Sequence, residues 1–487
     1  MNYLVVDMTH GGVKLCLKLS KDKENTVYGY DIYHSLKQSD LKEIESNNIK
    51  LIENIGNLKN LNLLSVISPV HCRLQEENYK EQINKNITYY THHSGVKLIL
   101  KTWLNKMNKS NIPIIEITGV KGKTTTSFIL KEILPNPLLL SSLGSYIFKE
   151  DPIILKKNIS ITPANIIETI DMAGKIANPK CSLDMDGNKF KDEINYESAI
   201  FESSLGACGI GDIGILTNII EDYPIAKGKS SASIAKEQIF NCKLVVCEYN
   251  TLKQYYKKFN EDKINTFAID NDNSDVNLIG KNIKYGLNKT SFTIEYNNLK
   301  TINGNLISGN FNVVSFAPGP HHILNILAAT TGALSLEIEE KVIINGLSNF
   351  KGIEGRSSIR KIDNSTIIEE INPGLNTSSI EKSIEMVEED NDYNIIIGGK
   401  YGITCEEIEE DKLIKLIGSK ILKNPHLKII LVDELGHSIK RKINNLDSKF
   451  ESTTYIQELD QAIEYSLKNN KNILLIYRSN YSQVNKR

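Results

Sequence analysis

IEITGVKGKTTTSFILKEIL, residues 115–134, reads as a strand, a glycine turn and a helix in immediate succession. Ile114–Thr118 is β-branched and apolar, which suits a buried strand. Gly119 and Gly122 permit a sharp turn that carries backbone N–H groups toward phosphate oxygens, with Val120 and Lys121 between them. Lys123 would then reach the terminal phosphates, and the Thr124 hydroxyl is placed to hold Mg²⁺. The helix is expected to start at Thr125 and stop before Pro135, with Phe128, Ile129 and Ile133 available to a core. A common P-loop has four residues between its first glycine and the Gly-Lys pair; here there are two. A plain strand–turn–helix with a solvent-facing lysine would look the same over so short a motif, so the rest of the chain has to discriminate.

On either side of this unit the chain repeats an alternation of strands and helices. Upstream, NYLVVDMTHGGVKLCLKL reads as a strand, a glycine turn and a helix. TVYGYDIY and NLLSVISPV then read as further strands, and SGVKLILKTWLNKM as a helix that ends at the polar break NKSNIP. A small parallel α/β domain is expected there. Downstream, ESAIFESS, GIGILTNII and CKLVVCEY read as strands, and SSASIAKEQIF and HHILNILAATTGALSL as helices. TFAIDN and SFTIEYNNLK look like strands of an inserted or appended sheet. A last α/β unit runs from STIIEEINP through YNIIIGGK and LKIILVDEL to NILLIYRSN.

Bulk properties narrow the function. A chain of 487 residues exceeds one hydrophobic core, so two or three domains are expected. Lys and Arg total 58 against 59 Asp and Glu, a net charge of −1, so no nucleic-acid footprint is present and phosphate recognition has to be local. No apolar run approaches the ~20 residues of a membrane span. Asp7 interrupts the N-terminal apolar run and no basic region precedes it, which argues against a secretory signal. The seven cysteines are scattered, and Cys242 and Cys247 lack a second pair at zinc spacing, so reduced thiols in a cytoplasmic enzyme are expected.

The short loop T-G-V-K-G-K-T-T resembles that of the Mur ligase family, ATP-dependent ligases that include cell-wall amino-acid ligases and folylpolyglutamate synthetases. The resemblance implies an α/β fold of three domains: an N-terminal substrate domain at 1–111, a central P-loop ATPase domain at 112–345 and a C-terminal Rossmann-like domain at 346–487. It implies that Gly119, Val120, Lys121, Gly122, Lys123, Thr124 and Thr125 hold ATP, with Thr124 and Glu202 as Mg²⁺ ligands. Glu202 closes the strand of FESS, where taken alone it would pass for a solvated strand-end acid. TNIIEDY resembles a family stretch that ends in a metal-binding histidine, but Tyr223 stands at that position, and a neutral phenol is a poor Mg²⁺ ligand.

Lys236 matches a lysine that several relatives carry as a carbamate; the alternative is a lysine on an exposed helix face. GPHHILN resembles a nucleotide-contact segment through His321 and Asn325, with His322 in place of its first Asn, although either histidine could be satisfied within a core. Arg356 stands where relatives bring an arginine toward the γ-phosphate, and Glu370 near an acidic ribose contact. Thr162 and Pro163 resemble an acceptor-side segment. Lys123, Glu202, Lys236 and Arg356 are thus the expected catalytic set.

Several strings (DMTHGG, SPVHC, THHSG, SSLGS, NISITPA and FESSLGACGIGDIGILTNIIEDYPIAKGKSSAS) look unlike cell-wall ligases and resemble the branch of the family that completes coenzyme F-430 in methanogenic archaea. That likeness implies a small-molecule substrate, a nickel tetrapyrrole acid whose metal arrives with it, and ATP with Mg²⁺ as cofactors. No nucleic-acid or membrane partner is expected. His10, His71, His92 and His93 are candidates for meeting its carboxylates, each more readily structural because no ligand spacing links them. Two alternatives stay open: an amide ligase adding an amino acid to a pseudomurein or folate-like precursor, and a nucleotide-binding regulator.

Overall fold

Three stretches rich in branched apolar residues, Leu4-Val5-Val6, Ile114–Ile117 (with Glu116 inside it) and Ile395-Ile396-Ile397, each occupy an interior strand of a separate sheet. The computed structural model describes residues 1–61, 64–70, 72, 74, 76–83, 86–177, 195–225, 230–271, 274–286, 289–353, 357–372, 374–388, 390–403, 408–443, 450 and 452–479. The chain forms two units, one of Met1–Lys281, Ile294–Phe311 and Leu324–Gly346, the other of Asn282–Thr293, Asn312–Ile323 and Leu347–Arg487.

In the first unit, strands β1 (Asn2–Val6), β2 (Thr26–Tyr30), β3 (Lys50–Leu51), β4 (Leu64–Ser68) and β5 (Thr88–Thr91) form a sheet of order β3-β2-β1-β4-β5. Every pair in it is parallel, as expected of the small α/β domain. The strand read into TVYGYDIY ends at Tyr30, because Ile32 N turns back to bond the Tyr30 carbonyl at 3.1 Å. The helix read across SGVKLILKTWLNKM is two, His92–Ile99 and Lys101–Lys109, which meet at Leu100, where ψ opens to 5°.

The central sheet is built on β6 (Ile114–Thr118), β7 (Pro137–Ser141), β8 (Gly144–Ile147), β9 (Ile153–Lys157), β10 (Ser198–Glu202) and β11 (Ile213–Leu216). A short hairpin, β12 (Pro224–Ile225) with β13 (Ser230–Ser231), stands apart from it. The sheet continues through β14 (Leu244–Glu248), β15 (Ile264–Ile269), β16 (Leu278–Lys284), β17 (Thr290–Lys300) and β18 (Leu306–Ser315). Its order is β18-β17-β16-β15-β14-β11-β6-β10-β7-β8-β9. Strands β11, β6 and β10 run parallel, with Leu216 paired to Thr118 and Glu202 to Ile117. Their carboxyl ends therefore open on one edge, where open α/β sheets bind ligands.

The third sheet belongs to the second unit: β19 (Ser357–Ile362), β20 (Ser365–Ile371), β21 (Tyr393–Gly399), β22 (Lys428–Val432), β23 (Thr453–Ile456) and β24 (Asn472–Arg478), in the order β19-β20-β24-β21-β22-β23. All its pairs are parallel except β19 with β20. Cys16, Cys72, Cys208, Cys242 and Cys247 are buried free thiols, as expected for the described cysteines. No helix among the described residues is long and apolar enough to cross a membrane.

Candidate functional site

The loop after β6 has the backbone its glycines require. Gly119 sits at φ +143° and Gly122 at φ +84°, both outside the range that residues with a Cβ adopt easily. Space is as restrictive as conformation: a Cβ at Gly119 would lie 2.0 Å from Thr217 Oγ1, and one at Gly122 would lie 2.1 Å from Asn325 Oδ1. Gly122 caps the helix Lys123–Ile133 in the left-handed conformation and offers no side chain to its first N–H groups. The helix thus begins two residues before the expected Thr125, since a left-handed glycine lets the chain enter the α conformation at once. Such an N-terminus favours an anion.

Residues from the end of β11 hold the loop in shape. Val120 N donates to the Asn218 carbonyl at 2.9 Å and Lys121 N to Asn218 Oδ1 at 3.1 Å. Thr217 Oγ1 and Asn218 Nδ2 both donate to the Lys121 carbonyl, at 2.5 and 3.1 Å. Lys123 Nζ folds over the turn and donates to the carbonyls of Gly119 and Val120 at 3.1 and 3.3 Å. Its ammonium is therefore held over the loop.

Glu202 is not a solvated acid. It is 1% exposed, and its Oε1 accepts from the buried Thr124 hydroxyl at 2.8 Å. Its Oε2 accepts from Ser142 N at 3.0 Å, and Ser142 Oγ lies 2.9 Å from Thr124 Oγ1. The structure thus joins Thr124 and Glu202, and adds Ser142, which sequence reasoning did not single out. The signal was present in SSLGS, a polar turn between two apolar strands. A hydroxyl and a carboxylate are hard oxygen donors, which suits Mg²⁺ rather than a softer metal.

Lys236 contradicts the exposed-face alternative, because it is fully buried with its ammonium 5.6 Å from the centre of the Tyr223 ring. The glycine-rich segment 203–211 explains the burial: Gly206, at φ +112°, packs so closely on the helix Ala232–Lys236 that a Cβ would meet the Ala235 carbonyl at 2.2 Å. Asp222, beside Tyr223, accepts from Ser233 N and Ser233 Oγ at 2.8 and 2.7 Å and so serves the start of that helix. The same segment is held from below by Glu116, a buried acid in the middle of β6. Its carboxylate accepts from the N–H groups of Cys208, Ile210 and Gly211 at 2.6, 2.6 and 3.1 Å. Burial raises its pKa in spite of these donors. The reading of this strand as wholly apolar missed Glu116.

His321 and Glu370, expected at the nucleotide, lie together with His322 in the second unit. Asn325, one helical turn after His321 in sequence, lies in the first unit against Gly122. Burial lowers the pKa of both histidines to about 3; the Lys382 charge assists at His321, and the Gly319 backbone opposes at His322. Arg356 and His71 fall outside the described residues, as does the side chain of His10. His92 is structural: it is buried, with Nε2 2.9 Å from the Val6 carbonyl at the end of β1. His93 is buried beside it in the same helix.

A second feature of the first unit is a cleft of about 1110 Å³ between the N-terminal turn and the helix Pro163–Ala177. Gly11 approaches that helix so closely that a Cβ would sit 2.5 Å from Ala164 Cβ. Lys14, Lys18, Lys37, Lys156, Lys175 and Thr162 are among the residues that line it. Lys14 pairs with Glu168, and Lys18 Nζ lies 2.5 Å from Asp171 Oδ1.

Gly122→Ala tests the loop directly. A Cβ here is strained by about 1 kcal/mol or more in the left-handed region and displaces Asn325 as well. Nucleotide affinity by calorimetric titration is expected to fall at least ~10-fold, each ~1.4 kcal/mol counting tenfold. Unchanged affinity would mean that the nucleotide does not use this turn.

Residues 359–480 match the family model described as "Coenzyme F430 synthetase CfbE, C-terminal domain". Over 455 residues the chain is 27% identical to Coenzyme F(430) synthetase of Methanocaldococcus jannaschii, covering 91% of this chain and 93% of that protein. It is 28% identical over 421 residues to Coenzyme F(430) synthetase of Methanosarcina acetivorans, covering 82% and 84%. Among solved structures it resembles MurF from Acinetobacter baumannii, with a TM-score of 0.55 at 14% identity over 86% of this chain and 89% of that one. It also resembles the MurF ligase of Thermotoga maritima in complex with ADP, with a TM-score of 0.51 at 14% identity over 89% and 95%. These structural likenesses concern the fold.

Proposed function

We propose that this chain, an ATP-dependent ligase of the Mur family, acts as a coenzyme F-430 synthetase. ATP phosphorylates the g-propionate carboxylate of the nickel tetrapyrrole seco-F-430 acid and leaves as ADP. A carbon nucleophile of the same molecule, having lost its proton, attacks the acyl carbon. The new C–C bond closes the F ring as the bond to phosphate breaks.

The observation that carries this reading is the likeness to two coenzyme F-430 synthetases over more than four-fifths of the chain. The local chemistry agrees with it. Lys123 over the turn, and the N-terminus of the helix it starts, supply positive potential where phosphoryl charge develops. Bound Mg²⁺ would neutralise phosphate charge, with Thr124 and Glu202 as its protein ligands. Holding nucleophile and acyl group in one molecule supplies proximity. The cleft is of a size to receive a tetrapyrrole ring, and its lysines, of which Lys14, Lys18 and Lys156 are paired with Glu168 and Asp171, face it beside Asp40 and Glu43.

On the family resemblance we assign Asn325 and Arg356 to the nucleotide and Lys236, as a carbamate, to the support of a metal, and with them the three-domain division at 111 and 345. An ATP-consuming step of this kind belongs in the cytoplasm, which is where we assign it.

Purified protein supplied with ATP, Mg²⁺ and seco-F-430 acid is expected to release one ADP for each water lost from the tetrapyrrole, read by mass and absorbance. ADP release that depends instead on a free amino acid would identify an amide ligase. ATP binding with no carboxylate-dependent turnover would identify a regulator.

A further inference from the structure

Near the start of the helix Pro320–Ser335, two neighbouring histidines face a carboxylate from the end of β20. One donor atom each from His321, His322 and Glu370 falls within 4.8 Å of the other two. The imidazole rings are 3.9 Å apart, and His322 Nε2 lies 3.4 Å from Glu370 Oε1. His322 is 1% exposed, and neither of its ring nitrogens makes a hydrogen bond; nor does Nδ1 of His321. A buried polar atom left in this state costs free energy that a ligand can recover. We propose that His321, His322 and Glu370 hold a divalent transition-metal ion in the second unit, distinct from the Mg²⁺ at Thr124 and Glu202.

The donor chemistry sets the class of ion. Two imidazoles and one carboxylate favour Zn²⁺ or Co²⁺ over Mg²⁺, which takes oxygen ligands. Burial keeps both rings neutral, the form in which an imidazole ligates. Bonds of ~2.1 Å to each donor need ligand atoms roughly 3–3.5 Å apart, so the set has to close by about 1 Å. A thioether lies close by: a Cβ placed on Gly319 would be 3.2 Å from Met386 Sδ and 3.3 Å from His321 Cε1. The Lys382 charge opposes a cation at His321, and the Glu370 carboxylate offsets it. The family resemblance puts His321 and Glu370 at the nucleotide, whereas a metal accounts for His322 as well.

The test uses untagged full-length chain without nucleotide, dialysed against Zn²⁺ or Co²⁺ alone. We expect one ion per chain by elemental analysis, and visible Co²⁺ absorption bands characteristic of imidazole ligation. His322→Asn and Glu370→Gln, checked as folded by melting and circular dichroism, should each weaken binding at least tenfold and abolish those bands. Lys123→Ala should keep both. Substoichiometric binding, or bands that survive in His322→Asn and Glu370→Gln, would overturn the proposal. So would the absence of metal binding combined with loss of ATP affinity in His322→Asn, which would return these side chains to the nucleotide. Because neither ATP nor tetrapyrrole is present in the metal measurement, its failure leaves the ligase reading untouched.

Discussion

Lys123→Ala is expected to slow ADP release by roughly 10²–10³-fold, the usual cost of removing one donor aimed at developing charge, while leaving the melting temperature nearly unchanged. The ammonium donates to the carbonyls of Gly119 and Val120 within its own loop. The turn keeps its shape through Thr217 and Asn218, whose bonds to Val120 and Lys121 do not involve Lys123. Lys123→Arg keeps the charge but replaces a compact ammonium with a planar fork, and should recover only part of the rate. Steady-state ADP release with a parallel thermal melt measures both. A variant that turns over at the parental rate would remove Lys123 from the chemistry.

Glu116→Ala is expected to be the most damaging single change to stability, by on the order of 3 kcal/mol or more, since each stranded buried donor costs about 1–3 kcal/mol. It would leave the N–H groups of Cys208, Ile210 and Gly211 without their acceptor beneath the sheet edge. Glu116→Gln separates charge from hydrogen bonding. Burial raises the Glu116 pKa above the ordinary 4.5, so ionisation costs more in the folded chain than in the unfolded one. The contribution of this group to stability is therefore complete below about pH 4.5 and is lost as pH rises through the folded value. Melting temperatures followed upward from that pH should show a falling component in the parent chain that Glu116→Gln lacks. An identical pH profile for the two chains would mean that this carboxyl titrates as it does in solvent.

The two residues also show what a sequence gives away. The turn carrying Lys123 was legible because phosphate binding forces residue types into a short contiguous stretch: glycines where φ is positive, then a lysine, then a hydroxyl. The parallel first sheet was legible from strand–helix alternation in the same way. Glu116 was overlooked because its partners lie about ninety residues downstream, although a lone acid in an apolar strand and a later glycine-rich segment were both visible. Ser142 escaped for a similar reason: β7 has to lie beside β10 before its turn can meet Glu202. Lys236 was singled out by the family resemblance with an exposed helix face as the alternative, and the close approach of Gly206, which removes that alternative, was not legible locally. Each omission concerns a contact made by topology, which local patterning does not encode.

The account rests on ATP activating the tetrapyrrole's own carboxylate. Seco-F-430 acid carrying oxygen-18 in its propionate carboxylates, turned over with ATP, reports this through the released phosphate. Passage through an acyl phosphate moves one labelled oxygen into each phosphate formed, and mass spectrometry should find it there. Unlabelled phosphate accompanying ring closure would contradict the mechanism, since the carboxylate would then never have been joined to the phosphoryl group.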